Sequence, residues 1–315
     1  MSSQPFFSII IVSLNGGPVI ARALNHVLAS DYEDFEVIVV DNGSTDDLAQ
    51  VVRTQFPRVR LIQSPVNLGF AGGNNLGLRA VQGDILVLLN DDTEVRPGWL
   101  SAWARVAARN PRWGILGCKL LYPDGQTVQH AGGIVHPNGL TDHIGHAQRD
   151  DGRFDQLLEC SYVTGAAMAI RREVYEILGG LDEGYFPIYF EETDYCRQAR
   201  RIGYDVLCVP DSVVIHHESR TQTAYSFRFL YRYTRCRIRF IAKCFSRGEL
   251  LRAVRYELRW WSKRYGLGDR RCLPYLCGYA SALTRMPWYL RDRLALRRRM
   301  TALSHAVGRG RESTR

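Results

Sequence analysis

Residues 7–14 (FSIIIVSL) form a nearly unbroken run of β-branched and aliphatic side chains, the pattern of a strand buried on both faces of a parallel sheet. Residues 36–40 and 84–89 repeat it. Between these runs, apolar positions fall at helical spacing over 19–28 and over 48–55, the second stopping before Pro57. A short strand at 59–62 and a helix over 73–81 complete the series. This alternation predicts an α/β fold: a doubly wound, mainly parallel sheet with helices on both faces. Such sheets bind ligands beyond the carboxyl ends of their strands, so the polar residues after each apolar run are the first candidates for chemistry.

Farther along, the pattern predicts a helix over 97–108, an irregular region rich in Gly, His and Asp over 125–152, and a strand over 163–170. A short helix over 173–178 and a longer one over 191–202 follow. From residue 225 onward, Arg alternates with aromatic and aliphatic residues at helical spacing, which predicts basic amphipathic helices. The expected division is a catalytic-type domain over 1–220 and a basic helical extension over 221–315, with residues 308–315 disordered.

With 315 residues, 46% hydrophobic and 23% charged, the chain has room for a large core and an enzyme-sized cleft. Its net charge of +9 suggests nucleic acid only until it is divided. Residues 1–220 hold 18 Lys and Arg against 27 Asp and Glu, whereas residues 221–315 hold 23 against 5. An acidic body carries a basic tail, and without a nucleic-acid motif no nucleic-acid partner is expected. Arginines interleaved with Phe227, Phe229, Tyr231, Tyr233, Trp260 and Trp261 suit helices lying on an anionic membrane surface, and equally helices packed within the protein. Eight cysteines without a C-x-x-C pair fit a reducing compartment. No signal-peptide pattern opens the chain, and no uncharged stretch nears the ~20 residues of a membrane span. The expected location is cytoplasmic, peripheral on the inner face of the plasma membrane.

Polar side chains gather at the strand ends. After the second strand, the Asn-Gly-Ser turn explains Ser44, Thr45 and Asp46 as helix caps; Asp41 precedes it, placed to hydrogen-bond a nucleobase or ribose. After the fourth come Asn90, Asp91 and Asp92, hard-oxygen side chains that suit Mg2+ or Mn2+ shared with a phosphate, or else a helix cap. The glycine-rich stretch from Asn67 to Gly77 brings backbone N–H groups toward an anion but lacks G-x-G-x-x-G spacing. Glu191, Glu192 and Asp194 open a helix with more carboxylates than its dipole requires, and their crowding favours a raised pKa suited to a general base. His143 and His146, beside Asp142, are a candidate metal pair or an ordinary surface loop. Of the adjacent His216 and His217, only one can face a site from a strand.

Taken in order, SIIIVSLNG, VVDNGSTDD, NLGFAGGNNLG, GDILVLLNDDTEV, the block from VTGAAMAIRREVY through FEETDYCRQARRIGY, and VVIHHESRT resemble the family 2 glycosyltransferases over roughly residues 7–220. The similarity is greatest to rhamnosyltransferase-like members that build bacterial surface polysaccharides. It implies a GT-A fold and an inverting, metal-dependent transfer of a sugar, rhamnose among the candidates. The donor would be dTDP- or UDP-linked, and the acceptor a glycan or lipid-linked glycan. The resemblance implies that Asp41 contacts the nucleobase and that Asn67, Gly69, Asn75 and Gly77 shape the nucleotide pocket. Asp91 and Gly165 join the nucleotide-sugar set, and Gly165 with Ala166 matches the acceptor-side segment. Asp92 becomes the metal-side carboxylate of a D-x-D-like motif whose first position is Asn90 here. His216 or His217, with His217 preferred, matches a histidine near the diphosphate. Glu192 takes the place of the catalytic Asp in an E-D-x-D segment, one methylene longer, with Asp194 as the alternative and Glu191 beside it. Two other readings share parts of this pattern: a nucleotide-sugar nucleotidyltransferase, and a non-catalytic carbohydrate- or nucleic-acid-binding protein.

Overall fold

The computed structural model describes residues 4–217, 226–264 and 269–312, the side chains of 263, 264, 270 and 301–312 excepted. It falls into two units, Met1–Ile134 with His143–Glu218, and Val135–Asp142 with Ser219–Arg315. The strands are β1 (Phe7–Ser13), β2 (Phe35–Asn42), β3 (Arg60–Ser64), β4 (Ile85–Asn90), β5 (Thr93–Val95), β6 (Trp113–Leu121), β7 (Thr127–His130), β8 (Gly133–Val135), β9 (Thr141–His143), β10 (Gln148–Arg149), β11 (Leu158–Glu159), β12 (Ala167–Arg171) and β13 (Asp205–His216). Helices α1 (Gly17–Leu28), α2 (Leu48–Gln55), α3 (Gly69–Leu78), α4 (Trp99–Arg109), α5 (Arg172–Leu178) and α6 (Glu191–Arg201) lie among them.

Strands β3, β2, β1 and β4 lie side by side and parallel, with Ile10 of β1 between Ile38 and Leu88. Both faces of β1 are covered, which is why its sequence is apolar throughout. Phe7, Ile9 and Ile11 join Ile20, Leu24, Leu48, Trp99 and Trp103 from α1, α2 and α4 in one core. The alternate residues face α3, where a Cβ on Gly77 would stand 2.5 Å from Ile10 and one on Gly73 2.6 Å from Val12. The chain leaves β1 for β2 on one side and returns to β4 on the other, so strand order reverses between β1 and β4. Sheets of this kind bind ligands beyond the carboxyl ends of the strands at such a switch point. Strand β12 enters antiparallel between β4 and β6, and β13 runs parallel to β6.

The structure departs from the sequence expectation in three places. Helix α3 begins at Gly69 rather than 73, because close packing on the sheet offsets the poor helix propensity of its glycines. The region expected to be irregular contains β7 to β10. Strand β6 went unread; it is buried throughout and includes Lys119, whose Nζ lies 2.8 Å from Asp150 and 2.6 Å from Asp155.

In the second unit, α7 (Phe227–Cys244) packs on α9 (Leu273–Thr284) and α10 (Met286–Glu312), with α8 (Arg247–Arg264) preceding them. Arg237, Arg239 and Arg293 are buried, as helices packed within the protein require. Arg237 is 2% exposed and donates to both carboxylate oxygens of Glu257 (2.8 and 2.7 Å), to Asn138 O (3.1 Å) and to Tyr279 Oη (2.7 Å). Arg239 pairs with Asp292 at 2.9 Å, and Arg293 donates to Ala242 O at 2.7 Å. Tyr231 donates to Ser281 (2.9 Å), Tyr233 meets Thr141 (2.8 Å), and Trp261 donates to Tyr279 (3.2 Å). Much of the arginine–aromatic interleaving is therefore the packing of this unit. Helix α10 runs through Glu312, past the expected onset of disorder at 308; residues 313–315 lie outside the described residues. No described helix is long and apolar enough to cross a membrane.

Candidate active site

At the switch point, Ser13 of β1 donates to Asp91 Oδ2 at 2.5 Å, tying together the two strand mouths. Gly16 leaves room for that carboxylate, since a Cβ there would stand 2.5 Å from it. One residue on, Asp92 Oδ1 lies 3.2 Å from His216 Nε2, and Asn90 Nδ2 lies 3.3 Å from the same nitrogen. His216 Nδ1 is 2.8 Å from Gln129 Oε1. Strand alternation sends His217 the other way, its Nε2 2.7 Å from Glu94, while its backbone N–H donates to Asp92 O at 2.9 Å. His216, rather than the preferred His217, therefore stands with Asn90 and Asp92. Residues 218–221 of the last matched motif lie outside the described residues.

Asp41 accepts from Ser44 N–H (2.9 Å) and Gln63 Nε2 (3.0 Å), which fixes its carboxylate at the end of β2. Ser44 does not cap α2; its Oγ accepts from Asn15 N–H at 3.0 Å. Asp46 accepts from Leu48 N–H (3.2 Å) and Gly17 N–H (2.8 Å), joining the first two strand-end turns. Asn67 accepts from Gly69 N–H at 2.8 Å. Gly69 has φ +72°, and a side chain there would meet Pro187 O at 2.8 Å, so glycine is required twice over. Asn75 and Gly77 lie deeper in α3. The Asn75 amide donates to Leu181 O (2.9 Å) and Glu183 (2.9 Å) and accepts from Leu181 N–H (2.8 Å), while Gly77 rests on Ile10. The structure gives these two a packing task away from the strand-end group. Gly165 lies against the Phe70 ring, and the next residue, Ala166, accepts from Asn90 N–H at 2.9 Å.

The second acidic cluster opens α6 after Tyr189 and Phe190, consecutive non-glycine residues with φ of 94° and 77°. Such backbone costs on the order of 1–3 kcal/mol per residue and concentrates at functional sites. Glu191 is fully buried, and among the described residues its carboxyl oxygens have no hydrogen-bond partner. Burial, with Glu192 adding, pushes its carboxyl well above the usual carboxylate range. Asp194 is buried and accepts from Tyr185 Oη (3.1 Å) and Gln198 Nε2 (2.8 Å). Glu192 alone of the three keeps partial exposure, and burial pushes its carboxyl up to about 7. It is the carboxyl that can both meet a substrate and exchange a proton near neutral pH.

In the group considered with Asp142, the rings of His143 and His146 stand edge to face 6.2 Å apart, while Asp142 meets His136 at 2.6 Å and His143 Nδ1 meets His130 Nδ1 at 3.1 Å. Gln129, Ser13 and Tyr185 were missed: Ser13 and Tyr185 lie within matched stretches whose other residues drew the chemical reading, and Gln129 lies in the region expected to be irregular.

Residues 8–179 match the family described as Glycosyl transferase family 2. The chain belongs to glycosyltransferase family 2. This sets aside the nucleotidyltransferase and non-catalytic readings. Among relatives of this family 2 chain, an O-antigen biosynthesis protein of Myxococcus xanthus is 34% identical, over 68% of this chain and 18% of the relative. An N-acetylglucosaminyl-diphospho-decaprenol L-rhamnosyltransferase of Mycobacterium tuberculosis is 27% identical, over 68% of this chain and 76% of the relative. The chain spans a quarter or less of some relatives: 18% of the Myxococcus protein and 25% of one from Sinorhizobium fredii. The fold is GT-A. It is similar to that of a mannosyltransferase from Pyrobaculum calidifontis in complex with GDP-Man and Mn2+, with TM-score 0.54 and 19% identity over 99% of this chain and 81% of that one.

Proposed function

We propose that this chain transfers a sugar, with inversion, from a nucleoside diphosphate sugar to a hydroxyl of a glycan or lipid-linked glycan during polysaccharide or glycolipid assembly. One relative's name, an L-rhamnosyltransferase, makes rhamnose the first sugar to try, on a dTDP- or UDP-linked donor. The observation that carries the reading is Glu192, a partly exposed carboxyl at about 7 in a chain of this family. Its carboxylate takes the proton of the acceptor hydroxyl as that oxygen bonds to the anomeric carbon. The bond from that carbon to the phosphate oxygen breaks, and the nucleoside diphosphate leaves with the electron pair. One such displacement inverts the anomeric centre. A positioned base contributes about 10² to 10⁴ in rate. Asp41, with acceptor capacity left beside Ser44 and Gln63, takes a nucleobase N–H.

The strand-end donors fit a divalent cation. Asp92 Oδ1 and His216 Nε2 lie 3.2 Å apart, two electron-pair donors at one strand mouth. Among the described residues no group of three or more His, Cys, Asp or Glu gathers at metal distance. A set of two suits Mg2+ or Mn2+ that completes its shell with water and substrate phosphate. Asp92 and His216, with Asn90 alongside, would hold the ion, which when bound supplies Lewis-acid assistance to the departing diphosphate.

The second unit adds a membrane-facing surface in this reading. Leu251, Val254 and Leu258 are exposed at helical spacing on α8, each next in sequence to an exposed arginine, Arg252, Arg255 and Arg259. Leucines beside cations match an anionic bilayer on the cytoplasmic side. Sedimentation with phosphatidylglycerol vesicles should exceed that with phosphatidylcholine, and Leu251→Ala with Leu258→Ala should reduce it. Equal sedimentation with both lipids contradicts this surface.

The function is tested by incubating the protein with a panel of nucleoside diphosphate sugars and Mn2+ and measuring released nucleotide. Release from a subset of donors is expected. No release from any donor, with or without an acceptor extract, contradicts the proposal.

A further inference from the structure

Gln129 is 4% exposed and stands at an irregularity in the β6–β7 ladder. Leu120 pairs with His130 and Leu121 with Val128, so one step on β6 spans two residues on β7. A bulge re-aims the side chain of its extra residue. Here Gln129 Oε1 meets His216 Nδ1 at 2.8 Å. Strand β13 has its own irregularity: Val209 pairs with Cys118 and Val213 with Lys119, so residues 210–212 are extra just before His216. Two interrupted ladders thus converge on one buried contact between an amide and an imidazole.

An amide oxygen has no proton to give, so this contact requires the imidazole proton on Nδ1. In neutral histidine the lone pair then lies on Nε2, the nitrogen 3.2 Å from Asp92 Oδ1. The opposite tautomer would put a proton between His216 and Asp92, where a cation has to enter. We propose that Gln129 is a positioning residue that fixes the tautomer and ring orientation of His216, making Nε2 and Asp92 Oδ1 a ready donor pair for a divalent cation. This rests on the metal assignment of the proposed function and adds a residue to it. Partners of this kind are worth about 10- to 100-fold in metal affinity.

The test uses 15N-histidine-labelled full-length chain, with the His216 signals assigned through His216→Ala. Long-range proton–nitrogen spectra of the metal-free protein above neutral pH report the tautomer. Free Mn2+ in the presence of UDP, followed by electron paramagnetic resonance, reports affinity. In the wild type His216 should carry its proton on Nδ1. Gln129→Leu should move that proton toward Nε2 and weaken Mn2+ binding about 10- to 100-fold. Gln129→Glu, which also accepts from Nδ1–H, should restore both. A wild-type proton on Nε2 overturns the role of Gln129, as does a Leu variant with unchanged tautomer and affinity; the wild-type spectrum decides even where that variant does not fold. A wild-type protein with the expected tautomer that binds no Mn2+ overturns the metal assignment instead.

Discussion

At the mouth of β4, Asp91 is met by the Ser13 hydroxyl, and Asp92 faces an imidazole 3.2 Å away. At the start of α6, Glu191 has no hydrogen-bond partner among the described residues, and burial pushes Glu192 up to about 7. Both stretches look alike in sequence: short acidic runs after an apolar segment. Their settings differ because sheets of this kind bind ligands beyond the strand ends at a switch point, whereas a helix start packed against the sheet desolvates its carboxyls. The first suits a shared cation, and the second suits a proton that must come and go.

The largest expected effect separates carboxylates within the helix cluster. Glu192→Gln should lower turnover about 10²- to 10⁴-fold with donor affinity unchanged. Asp194→Asn turns one of the two oxygens that accept from Tyr185 and Gln198 into an N–H donor, so it should cost thermal stability more than turnover. Reversal of the two, read by nucleotide release and thermal melting, would move the base to Asp194. Next comes the strand-end cluster. Asp92→Asn should raise the Mn2+ needed for half-maximal rate by more than the about 10- to 100-fold expected of an outer partner, and chelation should stop turnover until Mn2+ is restored. Activity indifferent to chelator would erase the contrast between the clusters. The smallest effect is structural. Asn75→Ala leaves the Leu181 backbone groups without their amide partner and should cost about 1–3 kcal/mol in urea unfolding, with Mn2+ affinity unaltered.

The four parallel strands were legible because burial on both faces leaves unbroken β-branched runs, as in β1. The acidic clusters were legible from their place after strands and at a helix start. The choice between His216 and His217 was not: alternation says only that they point apart, and the three extra residues before them in β13 bear on which one turns inward. Gln129 was hidden for the same reason, since its bulge has no sequence period. The proton affinity of Glu192 comes from tertiary burial, which no local pattern encodes. In the basic tail, helical spacing predicted helices without saying which arginines are internal, since the burial of Arg237 depends on Glu257 and on Asn138, distant in sequence.

The claim that Glu192 is the base is tested most directly by kcat/KM for nucleotide release from about pH 5 to about pH 9, which reports ionisation in the free enzyme. A base acts deprotonated, so the rate should rise about tenfold per pH unit on the acid side and level off above about 7, and Glu192→Gln should lose that limb. A flat profile across the range, or the same limb persisting in Glu192→Gln, would contradict the account.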